Sequence, residues 1–223
     1  MKPQLIFLMI LVSCGLAFAD TPQAPSQASH SEAPHSGWNF SEAGLIPIQS
    51  GGRLKPFDSY AREVSLYVTG SRTYRNSQGE SWGPVDLMFS WITFPAAWED
   101  EPFIQVGRED VRRQLGLDEK RSHFTPKELI GNFSLAQYAE TISKNDTVPA
   151  PTGKMKKQDP REKELKLVLD RVGLYRAVVS GEGWSLIPQP RPRAWLNLTS
   201  PGNDGKFIRG QFVELVKTYQ AGD

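Results

Sequence analysis

"PVDLMFSWITF", Pro84–Phe94, decides the class of fold. Only Asp86, Ser90 and Thr93 interrupt an otherwise apolar run. Pro84 suits the first position of a helix, where no backbone N–H is needed, and Pro95 stops its continuation. The segment reads as a helix buried on nearly all sides and as the central element of the core. Periodicity alone also allows a buried strand. Its neighbours argue for the helix.

On the N-terminal side, "DSYAREVSLYV" (Asp58–Val68) puts Tyr60, Ala61, Val64 and Val68 on one face. Asp58 is its expected N-cap, and Gly70 its end. On the C-terminal side, Arg108–Gly116 carries acids early and arginines late, which suits the macrodipole. "TPKE" (Thr125–Glu128) is a capping box with proline at the first helical position. Phe133–Lys144 follows as a helix.

Asp159–Gly181 is the strongest helix. Asp159 is the expected cap, Pro160 follows it, and Glu162 completes a capping box. Leu165, Val168, Leu169, Val172, Tyr175 and Val179 recur at helical spacing. A last helix, Lys206–Tyr219, carries Phe207, Phe212, Leu215 and Val216. "GLIPIQ" (Gly44–Gln49), Glu101–Val106 and Trp184–Pro188 read as extended, and Ser71–Gly83 as a polar loop. The expectation is a mainly α domain: five or six helices, two or three short extended segments and proline-rich connections.

The ends are different. Lys2, the apolar "LIFLMILV" (Leu5–Val12) and "AFA" (Ala17–Ala19) read as an export signal over residues 1–19. The apolar run is short for a hydrocarbon core of ~30 Å. Two processing readings stand side by side. One is cleavage after Ala19, and the other is lipidation of Cys14, since "LVSC" resembles the bacterial lipobox. Cys14 is the only cysteine, so no disulfide framework or C-x-x-C-H haem attachment is available. Residues 20–37 are a Pro/Ser/Ala-rich tether without apolar periodicity. It holds His30 and His35, a poor cage for a metal. Residues 38–223 form the expected globular part, with a polar linker over 145–158.

The formal charge is +1 over 223 residues, which argues against a nucleic-acid partner. No phosphate loop, dinucleotide fingerprint, H-E-x-x-H or G-x-S-x-G occurs. His123 reads as a solvated turn residue. No metal, cofactor or catalytic activity is expected. Of the six tryptophans, Trp91, Trp98, Trp184 and Trp195 fall in apolar segments and read as core. Asn39, Asn132, Asn145 and Asn197 head N-x-[ST] sequons, read as coincidence in a bacterial-looking chain.

One segment concentrates turn chemistry and charge. "LIPIQSGGRLKPFDSYARE" (Leu45–Glu63) joins an extended piece to a helix through Gly51–Gly52, which permits positive φ. Pro56 holds Lys55 extended. Gly, Pro and Asp are explained by the joint. Arg53 and Lys55 are not, unless they meet an anion or, for Arg53, an intramolecular partner.

The same segment is similar to "lPVqdgGRiKPldTfAre" of system II cytochrome c biogenesis proteins, the ResB/CcsA-type fused synthases. Ser90–Leu117 resembles that family's tryptophan, Pro-Ile-x-Val and Leu-Gly pattern. Glu164–Trp195 resembles its helix with Arg-Val, followed by apolar-Pro and Trp. The order is preserved across most of Leu45–Trp195. In that family the region is an extracytoplasmic domain, while membrane-embedded parts supply the haem path, a tryptophan-rich loop and histidine ligands. This chain has none of those parts. The resemblance therefore implies an accessory periplasmic module of cytochrome c maturation, made as a separate exported protein. Its expected partners are a polytopic membrane cytochrome c synthase and apocytochrome c. Gly52, Arg53, Lys55, Pro56 and Asp58 are the expected partner- or anion-binding joint. The alternative is a cell-envelope structural or ligand-binding protein.

Overall fold

The computed structural model describes residues 39–146, 159–190, 193–202 and 207–221. The expected signal with Cys14, the tether with His30 and His35, and residues 147–158 of the expected linker lie outside them.

Pro84–Phe94 resolves as a helix, α2 (Pro84–Thr93), and every residue in it except Asp86 is buried. It packs against α1 (Phe57–Thr69), α7 (Pro160–Ser180) and α8 (Ile208–Ala221). The other helices are α3 (Pro95–Trp98), α4 (Glu109–Gln114), α5 (Pro126–Ile130) and α6 (Phe133–Asp146). The eight α-helices among the described residues exceed the expected five or six. The excess comes from one-turn pieces such as α3, started by Pro95 but too short to show a period.

Six short strands form three antiparallel pairs: β1 (Pro47–Ser50) with β2 (Arg53–Pro56), β3 (Tyr74–Arg75) with β4 (Ser81–Trp82), and β5 (Ile104–Gln105) with β6 (His123–Phe124). The second pair lies inside the expected polar loop. Two-residue strands carry no alternation to read. Trp184–Pro188 contributes only a single bridge, Ile187 to Leu196.

The core is aromatic. Trp82, Trp91, Trp98 and Trp184 are all buried. Full burial of a large apolar side chain contributes roughly 1.5–3 kcal/mol. Trp184 stacks on Phe57 at 4.9 Å and donates its indole N–H to Val178 O at 2.8 Å. Trp91 stacks on Phe103 at 5.0 Å. Trp195 is only half-buried. On α7, Val178 takes the buried place expected of Val179. Phe207, just before α8, and Leu215 on it are exposed, while Val216 is buried.

Caps held in part. Thr125 and Glu128 form the capping box of α5. Asp159 bonds the Arg161 N–H at 3.0 Å, the second helical residue, so the box with Glu162 does not form. Three sequon asparagines serve local turns: Oδ1 accepts from Ser41 N for Asn39, Leu135 N for Asn132 and Thr199 N for Asn197. A sequon is also a short polar cap pattern.

One buried ion pair ties α7 to the rest. Arg171 donates to Tyr67 O at 2.9 Å, Gln105 O at 2.8 Å and Glu164 Oε1 at 3.3 Å. Glu164 Oε1 also accepts the Gly107 N–H at 2.7 Å.

Candidate functional site

The site begins as a two-residue hairpin. Ser50 pairs with Arg53, Gln49 with Leu54, Ile48 with Lys55 and Pro47 with Pro56. Gly51 and Gly52 close it with φ of 59° and 74°. Positive φ at both central positions is the type I′ geometry that follows strand twist. A Cβ on either glycine would meet nothing within 4 Å. Conformation, not crowding, therefore demands glycine here.

Ile48 is fully buried and pins the hairpin to the core. Its cross-strand neighbour Lys55 reaches back over α1, pairs with Glu63 and lies 5.9 Å from the Tyr60 ring centre. Burial, with Glu63 second, pushes the Tyr60 phenol up to about 12. Pro56 ends β2 and is itself the N-cap residue of α1. Asp58 is therefore not the cap. It sits in the first turn and accepts from Arg62 Nε at 2.8 Å. Gly44 packs against it, since a Cβ there would stand 3.0 Å from Asp58 Cβ.

Arg53 reverses the expectation of an intramolecular partner. Its side chain is exposed and makes no hydrogen bond or ion pair among the described residues. Strand register explains the difference from Lys55. Arg53 stands opposite Ser50 beside the turn, whereas Lys55 stands over the helix that supplies Glu63.

The far edge of β1 is also occupied. Gln49 N donates to Ser185 O at 3.0 Å, and Trp195 N donates to Gln49 Oε1 at 2.7 Å. The proline-rich arm over residues 189–195, of which residues 191–192 lie outside those described, thus ends beside β1 at Trp195. Arg193 on that arm is exposed, and its side chain has no partner among the described residues. Leu54 and Leu196 are exposed at 53% and 38%. The joint therefore carries two guanidinium groups without a partner among the described residues, beside exposed apolar side chains, a composition favoured at protein interfaces. Gln49 and Arg193 escaped the sequence reading, because only strand register and the arm's path bring them to Arg53's hairpin.

His123 is not a solvated turn residue. It lies in β6, half-buried, with Nε2 2.9 Å from Thr69 O and Nδ1 3.0 Å from Ser122 Oγ. Nε2 ties β6 to the end of α1, while Nδ1 is engaged by the adjacent Ser122. Among the described residues, no three His, Cys, Asp or Glu side chains gather as metal ligands would. Nor is any helix there long and apolar enough to cross a membrane.

Compared with protein-family models and with curated proteins, the chain matches none.

Proposed function

We propose that the protein is an accessory, non-catalytic, extracytoplasmic component of cytochrome c maturation. It docks on a polytopic membrane cytochrome c synthase or presents apocytochrome c to it. One observation supports this reading above others. Two stretches that carry the family resemblance, Leu45–Glu63 and Glu164–Trp195, adjoin at β1 through the Ser185 and Trp195 backbone bonds. At that junction the Arg53 and Arg193 side chains have no partner among the described residues, which leaves their charge to an external one. Lys55, Pro56 and Asp58 serve the shape of the joint, and Gly52 its turn.

A haem-stained denaturing gel of cells with and without the gene tests the reading, with b-type cytochromes as control. Loss of all covalent haem bands with b-type haem intact is expected. Unchanged bands would leave the second reading, a cell-envelope ligand-binding protein with no role in haem attachment. A cleft elsewhere on the chain favours that alternative.

A further inference from the structure

That cleft lies between α3, α5, α7 and the start of α8 and measures about 680 Å³. Small-molecule sites fall at roughly 300–1,000 Å³. Pro95, Pro126, Ile130 and Val179 give it an apolar wall. Ile130 is left 50% exposed there.

Its polar groups are unevenly satisfied. Tyr175 lines the cleft and is 4% exposed. Its ring meets Trp91 edge-on at 5.4 Å and Phe103 at 5.1 Å. The hydroxyl makes no hydrogen bond among the described residues. Burial, then the charge of Glu99, pushes this phenol upward, so it keeps its proton and remains a donor. Arg176, the next residue, is exposed and unpaired among the described residues. Arg209 donates to Val179 O at 3.0 Å and Ile92 O at 3.4 Å. Those carbonyls fix its position without neutralising it.

The lining charges can be paired off. Lys127 is matched by Asp100 at 3.1 Å. In the net count Glu99 cancels the charge of one arginine, without an ion pair to either among the described residues. One positive charge remains, beside a phenol hydroxyl that opens on the cleft and has no acceptor among the described residues. That combination asks for a single negative charge on an apolar body.

We propose that this cleft binds an amphipathic monocarboxylate. The carboxylate accepts from Tyr175 Oη and Arg176, and the chain lies along Pro95, Pro126, Ile130 and Val179. The site belongs to the ligand-binding alternative, and its failure would leave the haem-stained gel and the maturation reading untouched.

Calorimetry on the full chain tests it, with octanoate as the probe and 1-octanol as its uncharged counterpart. Octanoate is expected to bind saturably at one site, about tenfold or more tighter than octanol. Arg176→Glu should remove that preference and leave octanol binding unchanged. Tyr175→Phe keeps the ring packing and should weaken octanoate a few-fold at an unaltered melting temperature. Four results would each overturn the proposal. They are no saturable octanoate binding, equal affinity for both probes, an Arg176→Glu variant that binds octanoate normally, and binding of an acidic peptide where octanoate fails.

Discussion

Arg53 and Arg171 are the same side chain in opposite circumstances. Arg171 is 12% exposed and bonds two backbone carbonyls, a side-chain amide oxygen and a carboxylate, joining α7 to α1 and β5. The Arg53 side chain is exposed at a hairpin end and bonds nothing among the described residues. The first is needed to hold the fold together. The second is dispensable to the fold, which makes it informative about a partner. A guanidinium without an internal role leaves its planar donors free for an external carboxylate or carbonyl.

Breaking the comparison at its strong end should give the largest effect. Arg171→Ala strands Glu164 as a buried, uncompensated charge and is expected to cost about 3–5 kcal/mol in urea unfolding. Arg171→Lys should rescue only part of this, since an ammonium cannot span the same acceptors. A loss below about 1 kcal/mol would show that the network is ornamental.

Next comes the turn. Gly51→Ala and Gly52→Ala each force a side chain into positive φ, at roughly 1–2 kcal/mol per position. Open space around both Cβ positions makes conformation the sole cause. A neutral result for both would contradict the type I′ geometry.

The α5 capping box ranks third. Thr125→Ala should cost about 1 kcal/mol. Burial alone would push the Glu128 carboxyl up, but the Thr125 N–H and Arg121 outweigh it and hold the group below its usual range. A depressed folded pKa means the stabilisation is present above the unfolded value and fades as pH falls through the folded one. Glu128→Gln should therefore lower the melting temperature more near neutrality than in acid below the folded carboxyl's own range. Equal losses at both pH values would mean that ionisation is irrelevant.

The smallest stability effects belong to the joint's charges. Lys55→Ala removes a partly exposed pair worth about 0–1 kcal/mol. Arg53→Ala should stay within about 0.5 kcal/mol of the parent in urea unfolding.

These contrasts mark how far sequence could reach. The buried α2 was legible because its apolar run was long and bounded by prolines. Gly51–Gly52 was legible because few residues adopt positive φ. Asp58 misled because a carboxylate at a helix start serves equally as a cap or as a first-turn partner, and Pro56 moved the boundary by two residues. The fates of Arg53 and Lys55 were inverted because they depend on which residue lies across the strand. Arg171 gave no local signal, since its acceptors come from Tyr67 and Gln105, far away in the chain. The monocarboxylate cleft was invisible for the same reason: four separate helices supply its lining.

The central claim is that the hairpin–arm joint meets a partner and does not merely hold the fold. An Arg53→Ala/Arg193→Ala double variant tests it most directly, scored by urea midpoint and by covalent haem in the same cells. An unchanged midpoint with covalent haem bands lost is expected. An unchanged midpoint with full haem bands would contradict it.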